Sequence, residues 1–400
     1  MIILNKLKKV LKRYSFFLII NAFLKSLLQY LDAKLSDLYY QLMAGDKFNH
    51  FLDPNNLRDL VQSNISKKIE NLKIKNKGEL NILLVYRHSN WEEVLPISLK
   101  PFGYVHEFEW GSLGFNENDE NWLEKKKEMN SLMVEKYKEV SKNVKIDIVI
   151  GYLSGYTVDP VSLDFFSSQG SVVINFCLDD KVNFPGKKHH GIFSSPAALA
   201  QKVDLNLTSS PSSVKKYFIH GGPAMFWPEA ALPEIHRPYE IPFKYDVSFI
   251  GAKYGWRPEF INKLKDKGIN IECFGKGWPN GPLSSEEMIK LYSESRINLG
   301  FSGIGHSKRL MCLKGRDFEV PMSGGLYLCQ NNPELSRVYE VDKEILTYED
   351  TSDCYSKIGY ILENPEIAKD IRAAGLKRAL RDHTYEKRWE DALKILGLIA

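Results

Sequence analysis

The sequence predicts an α/β protein of two domains, each a parallel sheet covered by helices on both faces. Three observations carry that expectation. The chain has 400 residues, more than a single core usually organises. Short apolar runs alternate with helix-like segments, the pattern of strands buried on both faces. A proline-rich stretch, ALPEIHRPYEIP (231–242), separates two such series.

The first series follows a helical start. From Asn5 to Met43 the spacing of Leu, Phe, Ile and Tyr is helical, and Asp53-Pro54 breaks it. NILLVY (81–86), IDIVIGY (146–152), SVVINFCL (171–178) and DLNLTS (204–209) read as strands, with helices at Asn121–Val140 and Pro211–Phe218. In the second series the strands are DVSFIG (246–251), INIECFG (269–275), INLGFS (297–302) and GLYLC (325–329). One helix opens near Pro258, where proline suits a first turn. Another, LSSEEMIKLYSESR (283–296), begins with Ser284 and Glu287 spaced as a capping box. From Ser352 to Ile399 only helices are expected, broken at Pro365 and near His383-Thr384. The predicted divisions are a basic helical extension (1–78), a first α/β domain (79–235), a second (243–382) and a C-terminal helix (383–400). Two such domains are expected to face a cleft and to bind ligands at the carboxyl ends of their strands.

Composition narrows the function. A net charge of +4, with no basic run interleaved with aromatics beyond the N-terminus, argues against nucleic acid as a partner. Cys177, Cys273, Cys312, Cys329 and Cys354 stand far apart, which predicts reduced, buried thiols in a cytoplasmic protein and neither a disulfide framework nor a zinc site. Residues 1–31 carry Lys6, Lys8, Lys9, Lys12, Arg13 and Lys25 and no acidic residue. The apolar block Ser15–Leu24 is too short to span a bilayer. A basic amphipathic helix lying on an anionic membrane surface fits this segment, and so does a helix packed on its own domain with a solvated basic edge.

Candidate ligand groups cluster in the second domain. Lys253 and Arg257 follow its first strand, Lys276 and Trp278 its second, and Gly303, Gly305, His306, Lys308 and Arg309 its third. Next comes KGRDFEVPMSGG (314–325). On a helix Arg316 and Glu319 share a face, and Gly324-Gly325 end that helix or let a ligand come close. Glycines and cations recurring at strand ends suit a diphosphate, and a carboxylate beside them suits ribose hydroxyls. The plainer alternative is an exposed ion pair between Arg316 and Glu319.

In the first domain, CLDD (177–180) ends a strand and places Asp179 and Asp180 where they can bind acceptor hydroxyls or act as a base, or else cap the next segment. His88, in YRHSNW (86–91), falls on a loop suited to substrate contact or to a structural role. His189-His190 lacks the spacing of a metal pair, and no metal site is expected. Neither G-x-x-x-x-G-K-[ST] nor G-x-S-x-G nor Asp-x-Asp occurs, which excludes P-loop and α/β-hydrolase signatures and a metal-chelating transferase motif.

Asp246 to Arg388 resembles the CgeB-like glycosyltransferases, of the two-domain GT-B group. DVSFIG with Arg257, LKGRDFEVPMSGGLYLC (313–329), and PELSRVYEVDKEILTYED with NPEIAKDIRAAGLKRALRDHTYEKRW carry the likeness. The resemblance implies two Rossmann-like domains and a nucleotide-sugar donor. It implies that Glu319 binds the ribose, that Arg316 and Arg257 face the diphosphate, and that Gly324-Gly325 lie near the donor. Many retaining GT-B members carry a glutamate eight residues before the second one, where this chain has Met311. The expected function is metal-independent transfer of a sugar to a glycan, lipid-linked or glycolipid acceptor, at the cytoplasmic membrane surface and without a bound cofactor. A sugar-nucleotide epimerase or hydrolase, or a non-catalytic coat protein on a degenerate fold, are the alternatives.

Overall fold

The computed structural model describes residues 24–88, 92–182, 184–305 and 307–400. Residues 1–23 of the basic segment and His306 lie outside the described residues. The chain forms two compact units: Ser36–Leu232 with Thr384–Ala400, and Pro233–His383 with residues 24–35.

Helix α1 (24–44) opens the described chain. The Asp53-Pro54 break is also a start signal. Asp53 accepts the backbone N–H groups of Asn55 and Asn56, and Pro54 takes the first turn of α2 (Pro54–Ser66).

The sheet of the first unit contains β1 (Leu80–Tyr86), β2 (Gly103–Glu109), β3 (Ile148–Gly151), β4 (Val172–Cys177), β7 (Leu205–Thr208) and β8 (Ala224–Phe226), while β5 (Lys188–His189) and β6 (Ile192–Phe193) form a separate small hairpin. Its order is β2-β1-β3-β4-β7-β8 and every pairing is parallel. The helices are α3 (Val94–Leu99), α4 (Trp122–Ser141), α5 (Pro160–Ser168) and α6 (Val214–Ile219). Met129, Met133 and Tyr137 of α4 and Leu163 and Phe166 of α5 pack on Leu83, Val149 and Val173 of the strands. Each such fully buried side chain stabilises by about 1.5–3 kcal/mol.

In the second unit β9 (Tyr245–Ile250), β10 (Ile271–Phe274), β11 (Ser295–Gly300), β12 (Tyr327–Gln330) and β13 (Leu346–Tyr348) pair in the order β10-β9-β11-β12-β13, all parallel. Around them lie α7 (Arg257–Asp266), α8 (Ser285–Glu294), α9 (Arg316–Met322), α10 (Thr351–Glu363) and α11 (Pro365–Asp382). The capping box forms: Ser284 Oγ accepts from the Glu287 N–H at 3.3 Å, and the Glu287 carboxylate accepts from the Ser284 N–H at 2.8 Å.

The last helix, α12 (Tyr385–Leu396), belongs to the first unit. Its Trp389 is fully buried, edge-on to Phe176 of β4, and donates from Nε1 to Ser98 Oγ at 2.8 Å.

One expectation needed amendment. Strands β2, β8 and β13 escape the sequence pattern. The edge strand β2 leaves most of its side chains partly open to solvent and so lacks an apolar run. With three residues each, β8 and β13 are too short to show one. The five cysteines are free and buried, as their spacing implies.

Candidate functional site

In both sheets the strand order reverses beside the first strand, between β1 and β3 and between β9 and β11. Ligands of open parallel sheets bind outside the carboxyl ends at such points. The candidate residues gather there.

After β9 the backbone passes through Gly251 towards α7. A Cβ on Gly275, which follows β10 with φ +121°, would lie 2.5 Å from the Gly251 carbonyl oxygen, so only glycine lets the two strand ends meet. Arg257 opens α7 and is buried. Its Nη1 donates to the Ala252 carbonyl at 3.2 Å, and the guanidinium lies 4.3 Å from the centre of the Tyr254 ring. Burial lowers its pKa, and the positive charge of Arg316 adds to that lowering.

Arg316 is the first residue of α9 and is half-buried, with its Nε shielded from solvent and without a hydrogen-bond partner. Burial opposes its charge, but the electronegative surroundings of Tyr292, Tyr327, Glu319 and Asp317 outweigh burial and raise its pKa. Among the described residues no ion pair joins Arg316 to Glu319, and neither Arg257 nor Arg316 pairs with any carboxylate. Glu319 is half-buried and accepts from the Tyr292 hydroxyl at 3.3 Å through Oε2.

Asp317, between them, went unread in the sequence. It is fully buried, accepting from the Lys314 N–H at 2.8 Å and from the Tyr327 hydroxyl at 2.9 Å. Burial pushes its pKa up to about 6. A carboxylate in the first turn of a helix was the available signal. It pins the loop that delivers Arg316.

The glycine pair has a local cause. Gly324, at φ +71°, ends α9 in the left-handed conformation, and the N–H of Gly325 returns to the Val320 carbonyl at 3.0 Å. Side chains there would meet Pro238 at 3.0 Å and Asn298 at 2.7 Å. Lys308 is exposed, its ammonium 5.0 Å from the centre of the Trp256 ring.

The first unit holds a cavity of about 500 Å³. Arg87 after β1, Trp110 after β2, Tyr152 after β3 and Cys177 and Asp179 at the end of β4 line it, with Glu92. Trp110 is buried and its Nε1 has no hydrogen-bond partner. Arg87 donates to Glu117 at 2.6 Å. Asp179 is exposed on the cavity wall. Asp180, one residue on, turns inward: its oxygens accept from Thr208 at 2.9 Å and Tyr217 at 2.8 Å, and burial pushes its pKa up to about 6. The two aspartates thus separate, one to the cavity and one to the core. His88 is exposed, and its backbone N–H donates to Glu109 at 2.9 Å. Among the described residues no group of three or more His, Cys, Asp or Glu is arranged to hold a metal ion.

Residues 257–394, which span Arg257, Arg316 and Glu319, match the family described as glycosyl transferase-like. That match covers only the later part of the chain. Its fold recurs in solved structures at about a tenth sequence identity. Sucrose-phosphate synthase from Thermosynechococcus elongatus is 11% identical with a TM-score of 0.57, covering 79% of this chain and 98% of that one. HepE from Anabaena, in complex with UDP-glucose, is 10% identical with a TM-score of 0.53, covering 78% and 99%. A glycosyltransferase from Rickettsia africae is 11% identical with a TM-score of 0.50, covering 80% and 98%. No curated protein matches the sequence. The chain therefore has the GT-B fold, with one Rossmann-like sheet in each unit. The structural likenesses speak to fold.

Proposed function

We propose that this protein is a glycosyltransferase that moves a sugar from a nucleotide-sugar donor to a glycan, lipid-linked or glycolipid acceptor, without a metal ion. The observation that carries the reading is Arg257 and Arg316: Arg257 is buried, the positive charge of Arg316 disfavours its own, and among the described residues neither is joined to a carboxylate. Such an arrangement is costly unless an anion completes it. A diphosphate is that anion. As the bond between the sugar and the diphosphate breaks, negative charge grows on the leaving oxygen, and fixed guanidinium groups hold it more strongly than the ground state.

Glu319, oriented by Tyr292, accepts the ribose hydroxyls, and Lys308 stands at the rim. Gly324 and Gly325 act by ending α9 where they do. The UDP-glucose bound by HepE supports a nucleotide sugar as donor. In the first unit, the cavity receives the acceptor. Asp179 takes the proton of the attacking hydroxyl as the new glycosidic bond forms and the nucleoside diphosphate departs. Asp180 holds the turn that presents Asp179, and His88 flanks the cavity mouth.

The stretch LKGRDFEVPMSGGLYLC favours the CgeB-like group within the family. The six cations of residues 1–31 favour a cytoplasmic enzyme resting on the inner, anionic face of the membrane. No helix among the described residues is long and apolar enough to cross a membrane. Removing residues 1–31 is expected to abolish sedimentation with phosphatidylglycerol vesicles.

Thermal-shift measurements with UDP, GDP, TDP and CMP test the donor site. One nucleotide is expected to raise the melting temperature of the wild type and leave Glu319→Ala unmoved. If none does, the donor reading fails. Donor consumption at the full rate without an acceptor would instead indicate an epimerase or hydrolase.

A further inference from the structure

Helix α1 carries seven leucines, and six of them, Leu24, Leu28, Leu31, Leu35, Leu38 and Leu42, recur at intervals of 4-3-4-3-4 residues. All six are between 45% and 75% exposed. An exposed leucine needs no explanation by itself, but a stripe of six is a surface kept open. The opposite side of the helix is occupied. Ala33, Tyr40 and Ala44 are buried, Asp37 pairs with Lys216 at 2.6 Å, and the Tyr40 hydroxyl meets His220 Nε2 at 2.8 Å. The back of α1 is thereby anchored and the leucines are held outward.

We infer that this stripe is a parallel coiled-coil seam with a second copy of the same chain. Alternation of three and four residues keeps a seam facing one partner helix over its whole length. A helix lying in a bilayer surface requires only a broad apolar arc and no such register. Taking Leu28, Leu35 and Leu42 as a positions and Leu24, Leu31 and Leu38 as d positions, the same register continues upstream through Phe17, Tyr14, Val10, Leu7 and Ile3. Its one polar member is Asn21, at an a position, where a single asparagine sets register and strand number.

Charges agree with a parallel pair. The g and e′ positions that would meet set Leu27 against Asp32 and Lys34 against Tyr39, so no like charges oppose each other. The upstream cations Lys6, Lys8, Lys9, Lys12 and Arg13 all fall outside a and d, so the pairing is compatible with their attraction to an anionic surface. The six leucines of two copies bring together on the order of 1,000 Å² of surface, near the lower end of a stable specific interface.

The full-length protein in light scattering coupled to gel filtration is expected at twice the 46.0 kDa chain mass. Leu31→Asp/Leu35→Asp, at two exposed positions, is expected to run as a monomer that melts cooperatively and keeps its nucleotide response. Met43→Asp, equally exposed but off the seam, remains dimeric. Leu35→Cys supplies a second readout, since the five native cysteines are buried: mild oxidation is expected to give a disulfide-linked dimer on a non-reducing gel, and Met43→Cys is not. A monomeric wild type, or a dimer that survives the double substitution, overturns the inference. So does a monomer that sediments with 3:1 phosphatidylcholine–phosphatidylglycerol vesicles and loses that binding in Leu31→Asp/Leu35→Asp, because the stripe would then be a lipid face.

Discussion

The hydroxyl of Tyr292, fully buried at the end of α8, donates to Glu319 Oε2 across 3.3 Å. That bond aims a half-buried carboxylate from a neighbouring helix and leaves Oε1 free of it. Tyr292→Phe is expected to weaken nucleotide binding several-fold, the effect of one neutral-to-charged hydrogen bond of about 1.5–3 kcal/mol acting only on orientation. Glu319→Ala is expected to abolish the binding. Calorimetric titration with the nucleotide that stabilises the wild type distinguishes the two, and equal losses would show that Tyr292 does more than position.

Arg257 predicts an opposition between stability and binding. Replacing a buried cation that no carboxylate meets by an apolar chain of similar size relieves desolvation and the repulsion from Arg316. Arg257→Met is therefore expected to hold or raise the melting temperature of the free protein while weakening nucleotide affinity at least tenfold. A variant that loses stability and affinity together would mean that Arg257 supports the fold.

Asp180 and Asp317 give a pH dependence. Burial raises each to about 6, so the folded state keeps a proton that the unfolded chain has released. Their stabilising contribution is complete below about pH 4, the ordinary carboxylate value, and is lost as pH rises through about 6. The amide in Asp180→Asn does not titrate, and the hydroxyls of Thr208 and Tyr217 can rotate to suit it. Melting curves between pH 4 and 7 are expected to show a flatter dependence in this variant, by on the order of 2 kcal/mol across the window. Parallel curves for variant and wild type would place the Asp180 pKa in the ordinary range.

Trp389 ties the chain's end to the sheet of the first unit through Ser98 and Phe176. Trp389→Ala is expected to cost about 3–5 kcal/mol, and removal of residues 384–400 to unfold the first unit. Denaturant titration of both, with protease sensitivity mapped between 80 and 232, checks this. An intact first unit after truncation would show α12 to be an accessory.

How much of this was legible depends on the distance over which each feature is encoded. Strands β1, β3 and β4 announce themselves because both faces are buried and their residues are mostly apolar, and β9 and β11 do so through their buried central residues. The capping box at Ser284 and the breaks at Pro54 and Pro365 are equally local, since backbone donors and φ angles decide them within one turn. Edge strand β2 was hidden because one row of its side chains meets water.

At the site, residue types pointed to Arg257, Arg316 and Glu319, yet the local pattern read just as well as an exposed ion pair. Packing buries Arg257, leaves Arg316 half-buried and, among the described residues, gives neither a carboxylate, which favours the proposed ligand role over an exposed ion pair. It also sent Asp179 to a cavity and Asp180 into the core, although the two are adjacent in sequence, because successive side chains leave a strand end in different directions. Alone, the sequence determined the alternation of elements and the chemical types available at the strand ends. Only the tertiary structure decided which charges are deprived of water and which leucines are left in it. Solvent exposure belongs to the neighbours that folding brings together, and those neighbours are far away along the chain.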